Sequence, residues 1–167
     1  MTNDELRGKI VALNISKKKG IPKTNVESVK LLDDWGIEGD AHAGKWHRQI
    51  SFLAIESIEK MRAKGLNVRP GAFAENITTE FIDIPNLHVG DVVKIKDAEL
   101  EITQIGKECH SKCAIYYQAG DCVMPREGIF ARVLIGGTLM LGDGCEVIRS
   151  PIKVETVNLK DSGVDNG

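Results

Sequence analysis

The chain has 167 residues, the usual length of a single domain and enough to bury a hydrophobic core. Hydrophobic residues make up 42% and charged residues 28%, which is typical of globular proteins and excludes disordered or fibrous classes. The formal net charge of -2 gives no global reason to bind nucleic acid or a membrane surface, so any anion site must be a local cluster.

The N-terminal segment, MTNDELRGKIVALNIS, lacks the long apolar run of a signal peptide. No stretch approaches the roughly 20 apolar residues that a transmembrane helix needs. We therefore expect a soluble, cytoplasmic protein. In a reducing compartment the four cysteines are expected to be metal ligands, catalytic thiols or core residues rather than disulfides.

The first half of the chain alternates between strand patterns and loops. Residues 8–16 are apolar on both faces, which predicts a first strand, and a second strand is expected within residues 28–32. Residues 17–23 (KKKGIPK) predict a basic loop, and residues 36–48 a second loop rich in glycine. Strand character returns at residues 49–53.

A helix and further strands follow. Ile55, Ile58 and Met61 keep helical spacing, and Gly65 is expected to end the helix. Later strands are expected in four segments, with a hairpin turn at Asp97-Ala98 and another turn at Gly136-Gly137; the segments are 92–96, 99–103, 129–134 and 145–148. This pattern predicts a mainly β fold, a β-barrel or sandwich with a few short helices.

Two short segments resemble each other, HVGD at residues 88–91 and MLGD at residues 140–143. Each places a Gly-Asp pair immediately before a strand. We expect a shared turn geometry rather than an internal repeat. Residues 1–150 are expected to form one domain and residues 151–167 a C-terminal tail.

The densest group of reactive side chains is GKECHSKCAIYYQAGDCVMPR, residues 106–126. A cysteine acts as a nucleophile or soft-metal ligand only as the thiolate, which nearby cations stabilise. Lys107, His110 and Lys112 lie close in sequence to Cys109 and Cys113. These two cysteines are therefore the candidate catalytic residues.

Other roles remain open for the cysteines. Cys145 lies in an apolar strand and is expected to be a core residue, whereas Cys122 fits either a core or a functional role. The C-x3-C spacing of Cys109 and Cys113 also suits zinc, with Cys122 or a histidine from residues 42–47 completing the site. A second close pair is missing, which argues against zinc.

Two further clusters are candidates for ligand binding. Residues 39–48 (GDAHAGKWHR) carry histidines and cations that suit a phosphate or a polar heterocycle. The alternative is a solvated basic turn with Trp46 packed at the edge of the core. Residues 71–79 (GAFAENITT) offer short polar side chains, although Asn and Thr often serve only to close turns.

The ordered set of these segments resembles the MOSC domains, a family named for the C-terminal domain of molybdenum cofactor sulfurases. The resemblance extends from about Lys9 to Ile148. It is carried by four segments: GIEGDAHAGKWHRQISFLAIESI, GAFAENITT, LHVGDVVKI and GKECHSKCAIYYQAGDCVMPREGIFARVL.

The resemblance implies a β-barrel-like fold and a role in molybdenum cofactor (molybdopterin) metabolism. It also implies one functional cysteine that carries sulfur or ligates molybdenum; Cys113, after Ser111-Lys112, matches best, and Cys109 is second. The residues expected to bind the cofactor are Asp40, His42, Lys45, His47, Arg48, Asn76, Thr78, Lys112 and Arg126.

Three functions follow from these observations. The first is binding of the molybdenum cofactor, with Cys113 as a metal ligand. The second is a persulfide carrier that receives sulfur from a separate pyridoxal-phosphate-dependent cysteine desulfurase, or serves a molybdoenzyme. The third is a zinc or redox sensor. The cofactor functions require the three clusters to meet in one pocket.

Overall fold

The computed structural model describes residues 6–83, 86–106 and 127–149. This part of the chain contains eleven strands and one α-helix. Their bounds are β1 Arg7–Ile15, β2 Thr24–Val26, β3 Ser28–Leu32, β4 Gly36–Ile37, β5 Ile50–Ala54, α1 Ile55–Ala63, β6 Ile77–Glu80, β7 Val92–Ile95, β8 Ala98–Ile105, β9 Ile129–Ile135, β10 Gly137–Met140 and β11 Gly144–Ile148.

The main sheet closes on itself. Its strand order is β11-β7-β8-β9-β5-β6-β1-β2, and β1 also pairs with β11, so that seven strands form a closed β-barrel in the described chain. Most neighbours are antiparallel, but β5 and β6 are parallel. The predicted mainly β, barrel-like fold is confirmed.

Burial follows the position of each strand. In β7 and β8 buried and more accessible residues alternate, as expected when one face packs on the core and the other faces solvent. All five residues of β5 are buried. The reason is a second hydrophobic cluster, in which helix α1 covers the outer face of β5 with Ile58 and Met61 against Leu53 and Phe130.

A smaller sheet lies beside the barrel. Its order is β10-β3-β4, all antiparallel. Strand β4 leads into the glycine-rich loop and β5 follows that loop, so both ends of the loop are anchored on sheets. At Gly36 φ is +128°, and a Cβ there would come 3.0 Å from the carbonyl oxygen of Gln49. Glycine at this position therefore permits the close approach of the two ends of the loop.

Several elements depart from the sequence-based expectation. Strands β2, β4, β6 and β10 were not predicted. Strands β2 and β4 are only three and two residues long, too short for a hydrophobic period to be visible. The β7–β8 hairpin turns at Lys96-Asp97 rather than at Asp97-Ala98, with Lys96 at φ +55°. The helix and its end at Gly65, where φ is +94°, are confirmed.

The two Gly-Asp turns share one geometry. In the first, the amide of Asp91 donates to the carbonyl of His88, and the amide of His88 donates to Asp91 Oδ2 at 2.8 Å. Asp143 and Met140 repeat both contacts, again with 2.8 Å for the second. The expectation of a shared turn is confirmed.

No helix among the described residues is long and apolar enough to cross a membrane.

Candidate functional site

A fully buried ion pair anchors the glycine-rich loop. Lys23 Nζ lies 2.9 Å from Asp40 Oδ1, and neither side chain has any solvent exposure. Asp40 also accepts hydrogen bonds from the backbone amides of Ser16 and His42, both at 3.0 Å. Burial by itself would raise the pKa of the Asp40 carboxyl, but contacts with His42, Lys23 and these amides outweigh it and hold that pKa well below its usual range. Asp40 is therefore a carboxylate.

The ammonium of Lys23 has two further partners. Its Nζ lies 3.0 Å from Ser16 Oγ and 3.0 Å from His42 Nδ1. The hydroxyl of Ser16 donates in turn to the carbonyl of Lys18 at 2.9 Å, which leaves its oxygen free to accept from Lys23. All three ammonium hydrogens thus have an acceptor.

Trp46 is the centre of a group of cationic and aromatic side chains. Its indole Nε1 donates to the carbonyl of His42 at 2.8 Å, and the His42 ring lies parallel to the indole at 6.4 Å between centroids. Lys19 Nζ lies 4.5 Å and Arg48 Cζ 4.8 Å from the centroid of the indole. Such distances give cation–π attraction, which gathers positive charge at this surface.

Arg48 is held between two rings and retains hydrogen-bonding capacity. Its Cζ lies 5.6 Å from the centroid of Phe130, in addition to the contact with Trp46. Its Nε is buried and has no hydrogen-bond partner among the described residues. A buried N–H without a partner costs free energy, so this donor is suited to an acceptor supplied by a ligand.

His47 connects the loop to the end of strand β8. Its Nε2 lies 2.9 Å from Gln104 Oε1, and its carbonyl accepts a hydrogen bond from the hydroxyl of Thr103. Gln104 Nε2 donates to the carbonyl of Gly106 at 2.8 Å. Gly106 is the last described residue before the cysteine-rich segment.

A cleft of about 540 Å³ opens beside Trp46. Lys45, at its edge, forms an exposed ion pair with Asp34 at 3.2 Å. Exposed pairs of this kind contribute little to stability, so Lys45 can exchange its partner at low cost. The lining residues are Asp34, Lys45, Trp46, His47, Val89, Glu101, Ile102, Thr103 and Arg132.

The Glu75–Thr78 segment lies inside the sheet rather than at this cleft. Asn76 Oδ1 accepts from the amide of Ser51 at 3.0 Å, and its Nδ2 donates to the carbonyl of Asn14 at 3.2 Å. Thr78 Oγ1 donates to Glu75 Oε2 at 2.8 Å. Asn76 and Thr78 are fully buried, and these bonds tie β6 to β1 and β5.

A family model for the MOSC domain matches residues 39–146. The chain belongs to the MOSC domain family. The matched range includes the loop that carries Asp40, His42 and Arg48, the Glu75–Thr78 network and strands β5 to β10.

Known proteins resemble this chain in sequence or in fold. Protein YiiM of Escherichia coli is 27% identical over 117 residues, which cover 64% of this MOSC chain and 52% of that protein. The chain thus spans about half the length of this curated relative. The structure of YuaD from Bacillus subtilis has a TM-score of 0.70 at 20% identity, covering 84% of this chain and 95% of that one. YiiM from Geobacillus stearothermophilus has a TM-score of 0.62 at 19% identity, covering 92% and 85%.

Within the described part of this MOSC domain, the predicted site residues fall into two connected groups. His42, His47 and Arg48 contact the Trp46 ring, Lys45 lines the same cleft, and Asp40 accepts a hydrogen bond from the backbone amide of His42. Asn76 and Thr78 belong to the buried network. The two groups are linked through Lys23, whose amide donates to the carbonyl of Gly71 at 2.8 Å while its ammonium contacts His42.

The cysteine-rich segment lies outside the described residues, together with Cys109, Cys113, Cys122, Lys112 and Arg126. The convergence of all three clusters in one pocket therefore stays a prediction. Among the residues that the structure does describe, no group of three or more His, Cys, Asp or Glu side chains could hold a metal ion. Cys145 is buried in the barrel core, as expected.

Lys23 belongs to the candidate site, and sequence reasoning missed it. It was assigned to a basic loop, where lysines usually face solvent. One signal was available, because a Gly-Asp turn that buries its carboxylate needs a cation nearby. The sequence offers several lysines within that loop, and only the tertiary structure selects Lys23.

Proposed function

We propose that this MOSC protein binds the molybdenum cofactor. Cationic side chains around Trp46 would meet the phosphate and other oxygens of the pterin, and the thiolate of Cys113 would ligate molybdenum. The observation that carries the proposal is the cluster of Lys19, His42 and Arg48 on the indole of Trp46. The adjacent His47 contacts Gln104, which in turn contacts Gly106, the last described residue before the cysteine-rich segment.

The donor set suits this ligand chemically. A guanidinium offers a planar fork of N–H groups that matches a phosphate, and the unpartnered Nε of Arg48 adds a buried donor. His42 and Lys45 supply further donors at the same surface. A thiolate is a soft ligand of the kind that heavier transition metals accept.

The chain path supports a contribution from the cysteine-rich segment. The amide of Gly106 donates to the carbonyl of Gly128 at 2.6 Å, so the described chain leaves and returns at one place. Gln104 connects that place to His47. The two described residues that flank the cysteine-rich segment therefore lie together near the loop that carries His47.

The decisive experiment measures what the protein carries. The full chain is purified from cells that synthesise molybdenum cofactor, molybdenum is quantified by plasma mass spectrometry, and pterin by fluorescence after oxidation. We expect both in the wild type in equal amounts, and at least a tenfold loss of molybdenum in Cys113→Ser. Wild-type protein without molybdenum and pterin would refute the proposal.

Cys145→Ser is the matched control. Cys145 is only 3% exposed, and burial, with a smaller effect of Asp143, raises the pKa of its thiol to about 12. The thiol is therefore neutral and out of reach of a ligand, so we expect this variant to keep its molybdenum while losing stability, because a hydroxyl then replaces the thiol in the core. If Cys109→Ser alone loses molybdenum, Cys109 is the ligand.

The same samples test the sulfur-carrier function predicted from the sequence. Intact-protein mass spectrometry detects one added sulfur atom, and iodoacetamide competition assigns it to a cysteine. A persulfide on Cys113 without pterin would support a carrier that depends on a separate desulfurase. Zinc in place of both would support the sensor.

A further inference from the structure

The contacts of Lys23 determine which nitrogen of His42 carries a hydrogen. The ammonium has three hydrogens, and its three neighbours are Asp40 Oδ1, Ser16 Oγ and His42 Nδ1 at 2.9, 3.0 and 3.0 Å. An ammonium is only a donor, so each neighbour must accept. His42 Nδ1 therefore presents its lone pair to Lys23.

The alternative arrangement fits the geometry less well. His42 Nδ1 could instead donate to Asp40 Oδ2, but these atoms are 3.8 Å apart, beyond the range of a hydrogen bond. The Asp40 Oδ2 atom already accepts the backbone amide of His42 at 3.0 Å. The neutral ring must then carry its hydrogen on Nε2.

We infer that His42 donates a hydrogen bond from Nε2 to an oxyanion or other oxygen acceptor of the ligand, and that Lys23 is the positioning residue that fixes this tautomer. The His42 side chain is 21% exposed, so the ring edge is accessible while Lys23 is fully enclosed. Nε2 has no hydrogen-bond partner among the residues that the structure describes.

The same geometry excludes His42 as a metal ligand in this state. Metals bind the lone pair of a ring nitrogen. In His42 one lone pair is directed at Lys23 and the other nitrogen carries hydrogen. The nearby cations, Lys19 and Arg48, also disfavour a metal cation and favour an anion. The zinc site that combined His42 with the cysteines is therefore disfavoured.

This inference deepens the proposed function and rests on it for the identity of the ligand. The tautomer does not depend on the cofactor. If Cys113→Ser keeps molybdenum, the proposed ligation fails while the role of Lys23 stands. If Nδ1 carries the hydrogen, the role of Lys23 fails while the molybdenum experiment is unaffected.

The tautomer is measured by long-range 1H–15N NMR on the uniformly 15N-labelled full chain at neutral pH. We expect one ring nitrogen of His42 to be protonated, Nε2, and Nδ1 to be unprotonated. A protonated Nδ1, whether with a neutral or a charged ring, would overturn the inference. Assignment uses the His42→Gln variant, in which only that ring's signals disappear.

Lys23→Met tests the positioning role. Without the ammonium, Asp40 Oδ2 is the nearest acceptor to Nδ1, so we expect the hydrogen to move to Nδ1. Lys30→Met is the matched control, since Lys30 is exposed on β3, and the wild-type tautomer should persist. An unchanged tautomer in folded Lys23→Met would overturn the positioning role; if that variant does not fold, the wild-type spectrum decides.

Ligand class is tested with inorganic phosphate and with Zn²⁺ as probes. We expect phosphate to perturb the Nε2–H of His42, and Zn²⁺ to leave that ring unchanged. His42→Ala should weaken phosphate binding by about tenfold or more, as expected for loss of a hydrogen bond to a charged group. His42→Gln, which keeps an N–H donor at similar reach, should recover most of it. Equal phosphate affinity in His42→Ala, or direct Zn²⁺ coordination by His42, would refute the inference.

Discussion

The ammonium of Lys23 is buried because three acceptors replace the water that it leaves. Burying a charge costs several kcal/mol, and well-directed hydrogen bonds and ion pairs must offset that free energy. Here Asp40 supplies the opposite charge, and it is itself satisfied by two backbone amides. Such a pair contributes less to stability than to fixing one arrangement of the loop around His42.

Removal of the Asp40 carboxylate should reveal the free energy that burial of the Lys23 ammonium costs. Asp40→Asn leaves the ammonium of Lys23 without its counter-charge, and we expect the free energy of unfolding at pH 7 to fall by about 3–5 kcal/mol. The measurement is urea denaturation followed by circular dichroism. Glu38→Gln, on an exposed residue of the same loop, should change it by less than about 0.5 kcal/mol.

The stabilisation by the Asp40 carboxylate should decrease as the pH falls. The pKa of Asp40 is lower in the folded protein than its ordinary value of 3.8, because hydrogen bonds and Lys23 outweigh burial. The stabilisation is therefore complete above pH 3.8 and is lost as the pH falls through the folded pKa. The difference in the free energy of unfolding between wild type and Asp40→Asn should become smaller below about pH 4. A constant gap down to pH 2.5 would contradict the assignment.

Arg48 offers a second test at the residue scale. Arg48→Lys keeps the charge but removes the planar group held between Trp46 and Phe130, as well as the buried Nε. We expect the molybdenum content of purified protein to fall by about fivefold, corresponding to about 1 kcal/mol. Arg7→Lys, an exposed change on β1, should retain wild-type content. Unchanged content in Arg48→Lys would assign that residue to packing.

At the scale of elements, strand β6 holds the two sides of the barrel together. It is parallel to β5 and antiparallel to β1, and Asn76, just before it, bonds to residues of both strands. Glu75 accepts from the amides of Gly71 and Phe73, and burial raises the pKa of its carboxyl. This network supports the segment that carries Lys23, because the Lys23 amide donates to the carbonyl of Gly71.

Two adjacent threonines of β6 give a matched comparison. The Thr78 hydroxyl donates to Glu75 and accepts from Asn14, whereas the buried hydroxyl of Thr79 has no hydrogen-bond partner among the described residues. Thr78→Val should lower the free energy of unfolding by about 1–3 kcal/mol, because it leaves Asn14 and Glu75 with unmet hydrogen bonds. Thr79→Val should be neutral or stabilising by up to about 1 kcal/mol.

Thermal and urea denaturation of the two variants measure this difference directly. Equal destabilisation by the two substitutions would show that burial alone, rather than the network, determines stability in β6. A ligand role for Thr78 stays a prediction, and it would appear as a loss of molybdenum beyond what the stability loss explains.

At the scale of the whole molecule, the barrel depends on the pairing of its first and last described strands. β1 and β11 meet in antiparallel register, with Gly8 opposite Cys145 and Lys9 opposite Gly144. A Cβ at Gly8 would come 2.2 Å from the carbonyl oxygen of Glu80, which is backbone and cannot move aside alone. Glycine at position 8 therefore permits the close approach of β1 to the end of β6, while the same residue pairs with β11.

Gly8→Ala should consequently strain the contact between β1 and the end of β6. We expect a loss of about 1–3 kcal/mol or more in the free energy of unfolding, as for other overpacked sites. Gly144→Ala is the control in the facing strand, because its Cβ would meet only the carbonyl oxygen of Gly8 at 3.8 Å, an ordinary contact. Hydrogen exchange of the β1, β6 and β11 amides locates the effect, and equal tolerance of both substitutions would contradict the requirement for glycine at position 8.

The sequence by itself determined most elements and the family. Hydrophobic periods predicted β1, β5 and the helix, and the repeated Gly-Asp pair predicted a turn geometry found at Asp91 and Asp143. These features are local, because each depends on residues within about one element of each other. The clustering of residues 39–48 as a ligand-binding segment was also visible, since its cations are adjacent in sequence.

Only the tertiary structure decided which polar residues face the cleft and which support it. Strands β6 and β10 form through pairing with segments distant in sequence, whereas β2 and β4 pair locally but are too short for a hydrophobic period to reveal them. The sequence does not distinguish Lys23 from the neighbouring lysines. In the fold it contacts Asp40 and His42, which are 17 and 19 residues away. Burial of a charged side chain depends on partners that are distant in sequence. Composition and spacing therefore did not predict the burial of Lys23.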